Sequence, residues 1–123
     1  MEHAKYHQIQ EDLRRPYREL RELIPGVMNA YHSLGTAVMQ DGALPVTTKE
    51  LIALAISITR ECDGCIVAHA RGAAQRGVSR QEVAEAIGVA INLNGGPATV
   101  WGSRALAAYD EFAGPAPTDA TST

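Results

Sequence analysis

Two cysteines and a histidine carry the most specific chemistry in this sequence. Cys62, Cys65 and His69 follow one another at three and then four residues, and side chains with this spacing share one face of a helix. In the first turn of a helix, free N–H groups and the positive end of the helix dipole stabilise a thiolate and lower the thiol pKa from about 8.5. His69 lies one turn beyond Cys65, where a neutral imidazole can take the thiol proton. The pattern predicts an activated dithiol.

Glu50 is the candidate partner of His69. It stands near the start of the apolar helix predicted before the cysteines, and an antiparallel pair of helices would carry it toward His69. The position also fits a capping box, in which Thr47 is the N-cap residue and Glu50 follows three residues later. Spacing alone does not separate the two roles. Glu61, directly before Cys62, is interpreted as a solvated or helix-start residue.

Length and composition favour one small helical domain. A chain of 123 residues fits a single compact domain. Only 5% of the residues are aromatic and alanine is abundant, which favours closely packed helices over a β-sandwich. We predict an all-α bundle of about six helices over residues 1–123, with the CxxC motif at the N-terminus of a central helix. The core is expected at about residues 16–112, with a disordered Pro/Ser/Thr-rich tail at 114–123.

Prolines, glycines and capping patterns predict where the helices begin and end. The residues suited to a first helical turn are Pro16, Pro25 and Pro97. Gly77 is the kind of residue that closes a helix in the left-handed conformation. Ser79 to Glu82 repeats the capping-box pattern, so a fifth helix should begin there.

Apolar periodicity predicts which helix faces are buried. In the second helix one stripe has the i, i+4, i+7, i+11 spacing of a buried face, formed by Val27, Tyr31, Leu34 and Val38. The third helix contains the segment LIALAISIT at residues 51–59 and is apolar almost all round. We therefore expect it at the centre of the bundle.

Charge and hydropathy exclude several classes of protein. The net charge is -3, and no cluster of Lys and Arg residues lies on one face of a predicted helix to bind phosphates. Nucleic acid is therefore not an expected partner. The polar N-terminus lacks the apolar region of a signal peptide, and no segment approaches the roughly 20 apolar residues of a membrane span. We expect no membrane association and a cytoplasmic location. There, two close cysteines indicate a catalytic, redox-sensing or metal-binding role instead of a structural disulfide.

A metal site is the main alternative use of these residue types. Cysteine and histidine are good zinc ligands, but structural zinc needs a fourth protein ligand, and the sequence has no second Cys/His pair. The remaining histidines are His3 and His7, in a polar and loosely held terminus, and His32, interpreted as a partly exposed helix residue. No zinc-protease or deaminase motif is present. We predict neither a metal nor another cofactor.

The string Glu50-x11-Cys62-x2-Cys65-x3-His69 is followed by an alanine-rich stretch, Gly77 and Glu82. It resembles the AhpD-like alkylhydroperoxidase branch of the carboxymuconolactone decarboxylase superfamily over about residues 25–112. The resemblance implies a helical homotrimer or homohexamer. It also implies a disulfide-cycling alkylhydroperoxidase or disulfide reductase, supplied with electrons by a lipoyl-type or other dithiol reductant.

The same resemblance identifies the expected active-site residues as Glu50, Cys62, Cys65 and His69, and makes Glu50 a member of a proton relay. One position departs from the pattern: Gly64 stands where the best-studied peroxidase members carry a histidine. The decarboxylase members proper generally lack the cysteine pair.

The resulting hypothesis is a thiol-dependent peroxidase that reduces hydroperoxides. Cys65, activated by His69 with Glu50 behind it, attacks the hydroperoxide and becomes a sulfenic acid, and Cys62 then condenses with it to a disulfide. Cys65 is the cysteine better placed for His69, whereas the dipole argument by itself favours the thiol nearer the helix start. The order of the two cysteines is therefore taken from the resemblance. Two alternatives stay open: a carboxymuconolactone-decarboxylase-like acid–base enzyme that uses Glu50 and His69, and a non-catalytic redox-sensing subunit.

Overall fold

A computed structural model describes residues 5–115, and within that range it contains six helices and no strand. The helices are α1 Lys5–Leu23, α2 Pro25–Val38, α3 Val46–Thr59, α4 Asp63–Gln75, α5 Arg80–Asn94 and α6 Gly96–Ala113. The predicted all-α fold of about six helices is therefore confirmed. Most of the predicted disordered tail lies outside the described residues.

The core is formed by α3, α4, α5 and α6, which pack against one another. Its largest fully buried side chains are Leu54, Ile58, Ile66 and Val83. Most other core residues are alanines, which allow the helices to approach closely. At Gly102 of α6 an added Cβ atom would lie 2.5 Å from Cγ2 of Ile87, so a larger residue there would require the Ile87 side chain to move.

Helix α1 starts at Lys5, so the prediction that a helix begins at Pro16 was wrong. Pro16 lies inside α1, where it removes one backbone donor. The start of α1 is held by the Glu111 carboxylate of α6, which accepts hydrogen bonds from the N–H groups of Tyr6 (3.1 Å) and His7 (2.6 Å). The prediction of a loose terminus at His7 was also wrong, since its imidazole contacts Glu111 as well. This cap comes from the far end of the chain, so local sequence does not reveal it.

We expect Glu111 to hold α1 onto the bundle in a pH-dependent way. Burial by itself would raise the pKa of Glu111, but the hydrogen bonds from His7 and Tyr6 outweigh it and lower the pKa below the ordinary 4.5. The carboxylate therefore stabilises the fold fully above pH 4.5, and the contribution is lost as pH falls through the lowered value. NMR spectra recorded during acid titration should show the Tyr6 and His7 amide signals change only below pH 4.5, as the Glu111 carboxylate is protonated.

Glu111→Ala should lower the free energy of unfolding at neutral pH by about 1–3 kcal/mol, because charge-assisted hydrogen bonds to a largely buried group are lost. Asp110→Ala is the matched control, since Asp110 pairs with Arg80 and the hydrogen bonds of the Tyr6 and His7 N–H groups go to Glu111. Equal losses in the two variants, measured by urea unfolding, would contradict a specific cap.

Helix α2 packs mainly against α1 and makes little contact with the core. Its predicted buried stripe is exposed in the single chain, with exposed fractions of 62% for Val27, 66% for Tyr31, 60% for Leu34 and 50% for Val38. The prediction of burial within the chain was therefore wrong. Periodicity shows that one face is apolar, but it does not show what covers that face.

The predicted capping box at the start of α3 was also wrong. α3 begins at Val46, Pro45 occupies the N-cap position, and no side chain caps the helix from there. Instead, the Asp41 carboxylate accepts a hydrogen bond of 2.7 Å from the N–H of Val46. Thr47 is therefore not the N-cap, and Glu50 is free to point inward.

The prediction that α3 lies at the centre of the bundle is correct for one of its faces only. Leu54 and Ile58 are fully buried, whereas Ile52 and Ile56 are about half exposed. No helix within residues 5–115 is long and apolar enough to cross a bilayer.

The boundary between α4 and α5 follows the predicted pattern. Gly77 has a φ angle of 79°, and the N–H groups of Gly77 and Val78 donate to carbonyls of the last turn of α4, as in a Schellman motif. Ser79 and Glu82 form the predicted capping box, with hydrogen bonds in both directions. Pro25 and Pro97 lie in first turns, as expected.

Candidate functional site

The cysteine pair follows a tight reversal between α3 and α4. Glu61 has a φ angle of 55°, and the N–H groups of Glu61 and Cys62 donate to the carbonyls of Ile58 (3.1 Å) and Ser57 (3.2 Å). This is the same helix-closing geometry that glycine adopts after α4. Glu61 is exposed, as one interpretation proposed, but it closes α3 and does not start α4.

Cys62 is the N-cap residue of α4, and its Sγ accepts a hydrogen bond of 3.2 Å from the N–H of Cys65. The two sulfur atoms are joined in a disulfide, with the Cα atoms 5.2 Å apart, which is within the ordinary range for a disulfide. Cys62 is half-buried and Cys65 is exposed. An intramolecular disulfide therefore fits the backbone of α4, and Cys65 is the cysteine that a reagent reaches more easily.

Gly64 lies directly beneath α1. A Cβ atom at Gly64 would be 3.0 Å from Cδ1 of Leu13, so a larger side chain there would have to push Leu13 aside. The packing of α1 thus gives a physical reason for glycine at the position that departs from the resembled pattern.

His69 and Glu50 meet as the hairpin argument expected. The ring Nδ1 of His69 lies 2.9 Å from Oε1 of Glu50. The Glu50 side chain is 6% exposed and the His69 side chain 33%. Because a carboxylate only accepts hydrogen bonds, the contact assigns the hydrogen of neutral His69 to Nδ1. Its Nε2 then keeps a lone pair that can accept a proton.

The burial of Glu50 follows from its place on α3. It lies on the buried face of that helix with Leu54, Ser57 and Ile58, at i, i+4, i+7 and i+8. Its second oxygen, Oε2, accepts a hydrogen bond of 3.1 Å from Nε of Arg76. Both carboxylate oxygens are therefore engaged by side chains of α4.

Sequence reasoning missed two residues of this cluster, Gly72 and Arg76. An added Cβ atom at Gly72 would lie 2.2 Å from Oε2 of Glu50, so the carboxylate rests against the backbone of α4. With His69, these residues have the i, i+3, i+7 spacing of one helix face. That spacing is the signal that could have identified them.

A crevice of about 690 Å³ opens beside this cluster, between α2 and the α3–α4 pair. His69 and Arg76 lie on one side of it, and Leu34 and Val38 of α2 are on the other. Neither cysteine is among its lining residues in the described chain. His32 is exposed at the same crevice, as expected for a partly exposed helix residue. Much of the apolar stripe of α2 thus faces the crevice.

Among residues 5–115, no three His, Cys, Asp or Glu side chains converge in a way that would hold a metal ion.

The family model of the carboxymuconolactone decarboxylase family matches residues 25–108 of this chain. The chain belongs to the carboxymuconolactone decarboxylase family. The match runs from the start of α2 through most of α6 and includes the cysteine pair and the Glu50–His69 contact.

Relatives of this carboxymuconolactone decarboxylase family protein come from several bacteria. An uncharacterized protein of Cupriavidus necator is 34% identical over 80% of this chain and 88% of its own length. An uncharacterized protein of Haemophilus influenzae is 42% identical over 79% of this chain and 86% of its own length. An apo carboxymuconolactone decarboxylase family protein from Legionella pneumophila has a similar crystal structure. That structure has a TM-score of 0.87 and 34% identity, and the match covers 90% of this chain and 99% of that chain.

Proposed function

We propose that this protein is an AhpD-like thiol-dependent peroxidase that reduces organic hydroperoxides through a Cys62–Cys65 dithiol–disulfide cycle. The observation that carries the proposal is the exposed Cys65, joined to Cys62 at the start of α4, one turn before a histidine held by a buried glutamate. Thiolate stabilisation at a helix start and a nearby base are the two features that activate a cysteine.

In the first half of the cycle, His69 takes the proton of the Cys65 thiol at Nε2. The Cys65 thiolate attacks one peroxide oxygen, the O–O bond breaks, and the products are a Cys65 sulfenic acid and an alcohol. The alkoxide leaving group receives the proton held by His69. Glu50 keeps the ring oriented through Nδ1 during both transfers.

In the second half, the Cys62 thiol attacks the sulfenic acid, water leaves, and the disulfide forms. A lipoyl-type or other dithiol then supplies two electrons and two protons, reopens the disulfide and becomes a disulfide itself. Because the cycle requires a dithiol pool, we propose the cytoplasm as its compartment.

The direct test is peroxide consumption by the reduced protein with a panel of dithiols, including dihydrolipoamide and dithiothreitol. Catalytic turnover of an alkyl hydroperoxide with one dithiol supports the proposal. Oxidation of one disulfide per chain with no further turnover would instead indicate a redox-sensing subunit. Intact-mass analysis of the oxidised protein distinguishes an intramolecular disulfide from a crosslinked dimer.

A second candidate is an acid–base enzyme that uses Glu50 and His69 on a molecule bound in the crevice. It is favoured by one observation: His69 lines the crevice whereas neither cysteine does. This candidate predicts that activity survives loss of both cysteines, and the peroxidase predicts that it does not. Carboxymuconolactone and related small acids are the substrates to test, given the family to which the chain belongs.

We also propose that the protein assembles as a homotrimer or homohexamer. The apolar stripe of α2 is at least half exposed, and α2 makes little contact with the core of its own chain. A neighbouring copy is the proposed cover for this face. Since Tyr31, Leu34 and Val38 also line the crevice, such a neighbour would reduce access of water to His69.

Light scattering should therefore give three or six times the mass of one chain. Leu34→Glu should shift the protein toward monomer, because it places a charge at the centre of the stripe. Gln81→Lys is the control, since it adds a charge at an exposed position of α5 beside Glu85, which can pair with it. A monomeric native protein at micromolar concentration would rule out the proposed assembly.

A further inference from the structure

We propose that a groove on α1 binds the reductant of the disulfide, and that this reductant is a small dithiol that carries a carboxylate. This assignment rests on the proposed function, in which a dithiol reopens the Cys62–Cys65 bond. The groove lies outside residues 25–108, the part of the chain that matches the family model. Reduction of the disulfide is measured with no peroxide present, so the outcome does not depend on peroxidase turnover.

The α1 groove has a volume of about 410 Å³ and follows one face of that helix. Its residues have the spacing i, i+3, i+4, i+7, i+8 and i+11, and they are Gln10, Leu13, Arg14, Tyr17, Arg18 and Arg21. The expectation that no cluster of basic residues shares a helix face was therefore wrong for α1. The reason is that α1 continues through Pro16 and so aligns Arg14 with the arginines that follow it.

The α1 groove is positively charged, although the whole chain has a net charge of -3. Half of its residues are arginines and none is acidic. Within the described chain Arg14 pairs with Glu11, whereas Arg18 and Arg21 form no ion pair. The Arg21 guanidinium lies 5.6 Å from the centre of the Tyr17 ring, a cation–π contact that holds it beside the groove. Two guanidinium groups on one helix face are suited to bind a carboxylate.

Leu13 connects the α1 groove to the cysteine pair. It packs on Gly64, between the two cysteines, where an added Cβ atom would lie 3.0 Å from Cδ1 of Leu13. Arg18 follows Leu13 by five residues and Arg21 follows it by eight, a rise of roughly 8 to 12 Å along the helix. Leu13 and Tyr17 are about half exposed, so they offer apolar surface over this distance. A ligand with its carboxylate at the arginines and a short aliphatic chain over Leu13 therefore brings its other end to the cysteines.

The chemistry at that end requires a dithiol, because the disulfide accepts two electrons. One donor thiolate attacks Sγ of the exposed Cys65, the S–S bond breaks, and Cys62 leaves as a thiolate. The N–H of Cys65, which is 3.2 Å from Sγ of Cys62, stabilises that leaving group. The second donor thiol then attacks the mixed disulfide and releases Cys65, and the donor becomes a cyclic disulfide. The two protons of the donor thiols pass to the two cysteines.

The acidic residue of the CxxC motif, Asp63, lies toward the other end of α1. The pKa of Tyr6 is raised by burial, and the nearby charges of Glu111 and Asp63 raise it further. Asp63 is therefore near the start of α1, whereas Arg18 and Arg21 are in its second half. A ligand carboxylate is thus attracted to the arginine end of the groove and repelled from the other.

The test compares reduction of the oxidised protein by dihydrolipoate and by dihydrolipoamide, which differ only in a carboxylate and a neutral amide. Dihydrolipoate should react about three- to tenfold faster at low ionic strength, the range that two exposed ion pairs allow. Added salt should reduce this preference, because exposed charges are screened. Arg18→Gln and Arg21→Gln should each lower it, and the double variant should abolish it. Thiol trapping and intact-mass analysis at successive times give the rates.

Arg15→Gln is the matched control. It makes the same change of charge on the same helix, but Arg15 lies outside the groove and pairs with Glu19. It should keep the native preference. Octanoate, which has a carboxylate and an aliphatic chain but no thiol, should compete with dihydrolipoate and slow the reduction. Octanamide should not.

Equal rates with the two dithiols in the native protein would overturn the proposed site. So would a preference that Arg15→Gln lowers as much as Arg18→Gln does, or a reduction rate that octanoate leaves unchanged. A preference for dihydrolipoate in a protein that turns over no hydroperoxide would uphold the site and reject the proposed peroxidase. Peroxidase turnover with equal rates for the two dithiols would do the reverse.

Discussion

Cys65→Ser is expected to abolish peroxide turnover, with a loss of roughly three orders of magnitude or more, because a serine hydroxyl does not replace an activated thiolate as nucleophile. The fold should be unaffected, since Cys65 is exposed and serine has a similar size. Stopped-flow consumption of an alkyl hydroperoxide, with excess dithiol, measures the loss.

Cys62→Ser should fail at a different step. Cys65 remains able to attack, so one equivalent of peroxide is consumed in a single burst and a sulfenic acid accumulates or is overoxidised. Trapping with a sulfenic-acid reagent and mass analysis would detect it on Cys65. If the sulfenic acid instead forms on Cys62 in Cys65→Ser, the order of the two cysteines is the reverse of the one proposed. Full activity in the double variant would support the acid–base candidate.

Gly72→Ala should have the second largest effect. The added methyl group would lie 2.2 Å from Oε2 and 2.7 Å from Cδ of Glu50, so the carboxylate must move away from His69 and Arg76. Overpacking of this kind costs about 1–3 kcal/mol of stability, and a displaced relay residue lowers turnover by about 10²-fold. Peroxide kinetics together with urea unfolding measure the two effects separately.

Gly88→Ala is the matched control for Gly72→Ala. Gly88 is also inside a helix, α5, but a Cβ atom there would meet nothing within 4 Å. Alanine is the better helix former, so this variant should be more stable by up to about 1 kcal/mol with unchanged turnover. If Gly72→Ala loses stability and keeps full turnover, the position of Glu50 is not needed for the reaction.

The predicted features that hold are those encoded by neighbouring residues. Gly77 closes α4, and Ser79 with Glu82 caps α5, because a left-handed glycine and a reciprocal cap need only four or five adjacent residues. The position of Cys62 at the start of α4 was also predicted from neighbouring residues. The roles assigned to the four site residues stay predictions until turnover and reactivity are measured.

The features that sequence reasoning missed depend on residues far apart in the chain. Pro16 indicated a helix start, but Glu111 of α6 caps the helix much earlier. Glu50 fitted a capping box locally, yet the cluster on α4 draws it inward. In each case a contact between distant parts of the chain decides the outcome, since a buried carboxylate is stabilised by each of the several hydrogen bonds that it accepts.

The sequence by itself determined that the chain is helical and where several helices begin and end. It also determined that Cys65 and His69 lie one turn apart on α4, because helix geometry converts spacing into proximity. Only the tertiary structure decided that Glu50 lies between His69 and Arg76 and that Gly72 leaves room for it. It also placed the apolar face of α2 beside an open crevice and away from the core. Such outcomes depend on how helices pack, and a pattern along one helix states that a face is apolar without stating which surface it meets.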